Sequence, residues 1–116
     1  MMNQMIIVGR LTKDPELKEL ENGTKVSNIT LAVPRSYKNA DGVYETDFIK
    51  CSLWKNIAEN TANYCQKGDL VGIKGRVQTR EIETENGKHS EMELVAEKVT
   101  FLSSSKEKEK SDQVDI

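Results

Sequence analysis

Phe48-Ile49-Lys50-Cys51-Ser52-Leu53-Trp54 decides how this chain is read, because its residues sort by strand period. Successive side chains of a strand point to opposite faces. Ile49, Cys51 and Leu53 then form an ordinary core face. Phe48, Lys50, Ser52 and Trp54 form the other, two aromatics with a cation between them. A small domain cannot bury both faces unless something covers the second. Left bare, flat rings and lysine offer base stacking and phosphate contact, which is what an unpaired nucleic-acid strand needs. The alternatives are a central strand buried on both sides or a subunit contact, and this stretch alone does not choose.

Turn signals set the neighbours of this strand. Asn22-Gly23, Asp41-Gly42 and Asn86-Gly87 are hairpin dipeptides that accommodate positive φ. They separate strands predicted at Met5 to Thr12, Lys25 to Val33, Tyr44 to Trp54, Leu70 to Arg80 and Lys88 to Leu102. Pro34, lacking an amide donor, limits the second of these. From Asn56 to Lys67 the period changes to helical, with Ile57, Thr61, Tyr64 and Cys65 on one face and Gly68 as the C-terminal cap. Tyr64 reads as core or core-edge and Phe101 as packing. Five strands with a helix between the third and fourth predict an all-β OB-fold, a five-stranded Greek-key barrel. A small β-sandwich is the rival.

The fourth predicted strand adds a second signal. Val71, Ile73, Val77 and Thr79 face one way, while Lys74, Arg76, Gln78 and Arg80 face the other as a cationic row. Alternating charge is commonly a solvated outer face. Beside an aromatic strip in the same small barrel, it also suits a polyanion. Arg35, Tyr37 and Lys38 precede the Asp41-Gly42 turn and suit a finger that closes on a strand. Gly72 and Gly75 mark a bend or a close backbone approach.

Composition sets the limits. The 116 residues are 31% charged and 36% hydrophobic, which fits one soluble domain. Net charge is −2, but residues 1–80 hold 12 Lys and Arg against 9 Asp and Glu, while residues 81–102 hold 2 against 6. Local charge decides where a polyanion lies. No apolar run reaches a membrane span, and Met1 to Val8 lacks the basic leader of a signal peptide, so a cytoplasmic location is expected. Cys51 and Cys65 lack metal-ligand spacing and are expected as reduced, buried thiols. Glu81, Glu83, Glu85, Glu91 and Glu93 read as a solvated arm and His89 as surface. No nucleophile–base pair or phosphate loop appears, so no catalytic residue, cofactor or metal is expected.

Three ordered segments carry a resemblance. Ile7-Val8-Gly9-Arg10-Leu11-Thr12-Lys13-Asp14-Pro15-Glu16-Leu17, Val26-Ser27-Asn28-Ile29-Thr30-Leu31-Ala32 and Lys67-Gly68-Asp69-Leu70-Val71-Gly72-Ile73-Lys74-Gly75-Arg76-Val77-Gln78-Thr79-Arg80 resemble the bacterial single-stranded DNA-binding proteins. The short competence-type, phage and plasmid forms of Gram-positive bacteria are nearest. The resemblance covers residues 1–102 and implies an OB-fold homotetramer that binds and protects single-stranded DNA in replication, recombination, repair or uptake, near the nucleoid.

It also implies that Tyr37, Phe48 and Trp54 stack on bases, and that Lys18, Lys50, Lys67 and Arg80 meet phosphate. Together with Arg35 and Lys38 from the finger before Asp41-Gly42 and Lys74 and Arg76 from the fourth strand, these form the expected DNA-binding set. The N-terminal strand, Gln4 to Val8, is where subunits of such proteins pair. Two departures stand out. Ile82 occupies a position where many members carry tryptophan, which implies weaker binding or a smaller site. Residues 103–116 form a short polar tail, expected to be disordered. Its Asp112, Val114, Asp115 and Ile116 faintly resemble the acidic tip through which longer members recruit replication and repair proteins. The rival reading is a primosome-accessory type of protein-interaction module on the same fold, with weak DNA binding.

Overall fold

A computed structural model describes residues 1–105, together with the backbone of residues 114 and 115. The strands are β1 (Met5–Leu11), β2 (Lys18–Glu19), β3 (Lys25–Lys38), β4 (Tyr44–Trp54), β5 (Leu70–Thr84), β6 (Gly87–Ser103) and β7 (Val114–Asp115). One helix, α1 (Lys55–Tyr64), lies between β4 and β5.

The strands form one sheet in the order β1-β5-β6-β4-β3-β2, and β1 also pairs with β3. That last pairing, Arg10 with Ala32 and Leu11 with Leu31, closes a barrel of β1, β3, β4, β5 and β6. On the other side the seam between β4 and β6 is parallel, with Ser52 opposite Val95. The architecture is the OB-fold, and a single closed sheet replaces the sandwich alternative. Alternation puts Ile29, Leu31, Cys51, Leu53, Val71, Ile73 and Val99 in the core.

Closure demands two glycines without side chains. A Cβ on Gly9 would lie 2.8 Å from the Ala32 carbonyl oxygen. One on Gly75 would collide with the Val95 carbonyl, its carbon 2.9 Å away and its oxygen nearer still. Gly72 has no such constraint, its nearest neighbours being side chains at 3.6 and 3.8 Å. The close approach expected for Gly72 and Gly75 therefore belongs to Gly75.

Several local expectations are corrected. Pro34 does not end its strand: β3 continues to Lys38 across a register shift, because Pro34 sits in the irregular stretch of the β3–β4 ladder. The β5–β6 hairpin runs to Thr84 and Gly87, so its two-residue loop is Glu85-Asn86 and not Asn86-Gly87. In all three hairpins only the glycine adopts positive φ, the preceding Asn or Asp staying negative. The helix stops at Tyr64 and is capped at Cys65, whose amide donates to the Thr61 carbonyl at 2.9 Å. Gly68 instead turns the chain into β5 with φ +91, its amide donating to the Leu11 carbonyl. Tyr64 is exposed, because the buried stripe of α1 is centred on Ala58 and Thr61 and continues at Cys65.

Asp69 fastens the end of the barrel. Its carboxylate, almost fully buried, accepts from the amides of Gln66 at 2.9 Å and Ser105 at 3.2 Å. Ser103 ends β6, and Val114–Asp115 pairs with β6 opposite Thr100 and Phe101. The rest of the expected tail, residues 106–113 and 116, lies outside the described residues. Among the described residues no helix is long and apolar enough to cross a membrane.

Both cysteines are buried and free. Burial pushes each thiol up to about 11, with the charge of Asp69 adding to the effect at Cys65. The reactive species is the thiolate. Ellman's reagent at pH 7.5 is therefore expected to label the native protein very slowly and the guanidinium-unfolded protein at once. Folding favours the neutral thiols, so their contribution to stability is complete below the unfolded value of 9.0 and is lost as pH rises towards 11. Rapid native labelling at pH 7.5 would contradict this burial.

Candidate nucleic-acid interface

The face that opened the sequence reading is bare. Phe48 is 68% exposed and Trp54 36%, and Lys50 is exposed between them. Ser52 is the exception, buried because β6 crosses over it at the parallel seam. Its hydroxyl donates to the Leu94 carbonyl at 3.4 Å and accepts from the Trp54 indole N–H at 3.1 Å. The ring of Trp54 is thus tethered to β6 through Ser52. Lys18 stands in the same row, since β2 pairs Lys18 with Val26 and β3 pairs Val26 with Trp54.

An open groove of about 350 Å³ runs beside Lys50. Its lining includes Lys13, Thr30, Lys50, Arg80, Glu91 and Glu93, with Met92 exposed nearby. The sequence reading missed Lys13 and Met92. Lys13 arrives because the Thr12 amide and hydroxyl both donate to the Thr30 carbonyl at 3.0 Å, and Thr30 pairs with Lys50. The Lys67 amide donates to Asp14 Oδ1 at 2.8 Å, which brings Lys67 beside the same β1 exit.

The β3–β4 hairpin carries Tyr37 and Lys38 beyond the barrel. Tyr37 is exposed, and Lys38 Nζ lies 5.6 Å from the ring centre of Tyr44, its register partner. Tyr44 is exposed as well and shares the strand parity of Phe48. That parity was available in the sequence.

The arginines behave differently from the lysines. Arg35 donates Nε and Nη2 to Asp47 at 3.1 and 3.0 Å and Nη1 to Glu45. These hydrogen bonds hold the Asp47 carboxyl below its ordinary range and raise the Arg35 guanidinium further. Asp47 alternates with Phe48, so Arg35 lies on the opposite face of the hairpin from Phe48. Arg76 is 3.4 Å from Glu97, and Arg80 is 3.6 Å from Glu91 and 3.9 Å from Glu93. Lys74 pairs with Ile6 and Lys98 on another wall and does not line the groove. The expected continuous cationic row is therefore split. Lys50 and Arg80 meet in the groove, whereas Lys74 and Arg76 stand apart from it.

Ile82 is half-buried opposite His89, which is exposed in the hairpin. Among the described residues no group of His, Cys, Asp and Glu is placed to hold a metal ion.

Comparison with known proteins follows the same lines. This chain is 52% identical over 103 residues to single-stranded DNA-binding protein B of Bacillus subtilis (strain 168), covering 88% of this chain and 91% of that one. It is 52% identical over 105 residues to single-stranded DNA-binding protein 3 of Listeria innocua, covering 90% and 66%. It is 52% identical over 103 residues to the single-stranded DNA-binding protein of Bacillus cereus, of which it spans 61%. Residues 2–102, the barrel except the last residue of β6, match the pattern that defines one family. With the closed five-stranded barrel and its bare aromatic face, this match makes the chain a member of the single-strand binding protein family.

Proposed function

We propose that the chain binds single-stranded DNA without sequence preference, stacking bases on Phe48, Trp54 and Tyr37 and placing phosphates against Lys50, Lys13 and neighbouring lysines. The observation that carries this reading is the uncovered Phe48–Lys50–Trp54 face beside a groove lined by Lys13, Lys50 and Arg80. Every base has a π-face, so stacking tolerates any sequence. A duplex hides those faces and loses the contact. Lys18 and Lys67 extend the path, and the Tyr37–Lys38 hairpin reaches over it. Lys74, Arg35 and Arg76 contribute least, given their positions and partners.

The reading extends to assembly. Ile6 and Val8 are exposed on β1, and among the described residues Met5 to Gly9 pair only with β5, which leaves their other edge open there. An open, apolar edge favours pairing with a second copy, which supports a homo-oligomer, a tetramer by family likeness. Several linked barrels would then multiply modest contacts along one strand. The protein would act in the cytoplasm at the nucleoid, in replication, recombination, repair or uptake. Recruitment of partner proteins through the last residues is a further part of this proposal.

Anisotropy of labelled oligo-dT against a duplex of equal length tests the central claim. Tight binding of the single strand alone is expected, falling as salt rises with a slope of about −0.7 per phosphate neutralised. Equal affinity for both, or no salt dependence, would reject it.

A further inference from the structure

The β5–β6 hairpin carries facing charges that fall on the groove. Arg80 stands opposite Glu91 in register and lies within ion-pair distance of both Glu91 and Glu93. Glu93 also accepts from the Gln78 amide at 2.7 Å, and its side chain is only 15% exposed, so this carboxylate is fixed in place. All three charged groups line the groove beside Lys13 and Lys50. Among the described residues neither Lys13 nor Lys50 has an ion-pair partner. An entering polyanion therefore meets two available lysines and one arginine that is already engaged.

We propose that Glu91 and Glu93 compete with the phosphates of a bound strand for Arg80: they hold Arg80 in the free protein, and phosphate gains it only by displacing them. The inference rests on the single-stranded DNA reading above. Phosphate contacts first form at Lys13 and Lys50, and Arg80 joins only where the strand continues along the hairpin. When it does, two carboxylates lose their counter-charge and gather cations from solution. The net release of ions on binding is smaller than the count of cations in the groove would give. The two glutamates thus lower affinity uniformly, without reading sequence, and keep the complex easy to dissolve.

The test uses the full chain and labelled oligo-dT over a salt series. Glu91→Gln with Glu93→Gln keeps size and removes charge. Affinity is expected to rise roughly two- to fivefold, the size of one exposed ion pair. The dependence of log affinity on log salt should steepen by about 0.7, one further phosphate. Glu83→Gln with Glu85→Gln makes the same charge change nearer the hairpin tip and is expected to leave the slope alone. In an Arg80→Ala background the gain should vanish, since a cycle of this kind isolates the coupling. The milder Glu91→Gln leaves the Gln78–Glu93 bond intact and should move affinity the same way by less, which guards against a misfolded double variant. Unchanged or weaker binding, an equal gain from the tip variant, or a gain that survives Arg80→Ala would overturn the proposal. A wild-type chain that fails to bind oligo-dT at low salt would overturn the DNA reading and this proposal with it.

Discussion

Trp54→Ala is expected to weaken single-stranded DNA binding by roughly 5- to 150-fold. Stacking of a base on an aromatic ring contributes about 1–3 kcal/mol, and each 1.4 kcal/mol is about tenfold. The ring is well placed to supply the upper part of that range. Its indole N–H is tethered through Ser52 to β6, so little motion remains to be lost on binding. Phe48 lies six residues earlier on the same face, about 20 Å away at strand rise. Two rings that far apart should serve different bases, so Phe48→Ala combined with Trp54→Ala should multiply the losses. Titration with oligo-dT measures both variants. In the wild type Trp54, the single tryptophan, should lose emission as DNA binds. Unaltered emission together with unaltered affinity of Trp54→Ala would remove this ring from the interface.

Gly75→Ala is expected to be the most damaging small substitution in the barrel. The added methyl has no room, because its two nearest neighbours are the oxygen and carbon of the Val95 carbonyl, which cannot swing aside as the nearby Met5 methyl can. Overpacking of this kind costs about 3 kcal/mol. For a domain near this size such a loss lowers the melting temperature by roughly 10–20 °C. Gly72→Ala, three residues earlier on β5, meets only side chains at ordinary contact distance and should melt close to the wild type. Thermal denaturation followed by circular dichroism compares the pair. Equal melting temperatures would show that the strands do not approach as closely at Gly75 as the geometry requires.

Much of this was legible before any coordinates. The parity of β4 separated Ile49, Cys51 and Leu53 from Phe48, Lys50 and Trp54, and only Ser52 departed from it. That departure depends on where β6 crosses, which no local pattern encodes. The helix was visible, but its end was not: Gly68 looked like a cap, and its positive φ instead serves the turn into β5. Lys13 came to line the groove because its neighbour Thr12 bonds to Thr30, a tertiary relation without any sequence period. The capture of Arg80 by Glu91 was available in outline. Counting back from the Asn86-Gly87 signal places a glutamate opposite Arg80 whichever two residues form the loop. What hid it was treating each strand's charges as a separate row, when cross-strand neighbours decide which cations are available. The ion pairs of Arg35 were hidden for the same reason, since Asp47 and Glu45 face it across its own hairpin.

Ser52 has one more consequence. The residue that anchors the indole is also where the parallel join of the sheet is made. Prying that join apart would release the indole and open the hydrophobic interior in one event. Titrating urea into the complex should therefore release the oligonucleotide and melt the protein along superimposed curves, with no folded yet ligand-incompetent species between them.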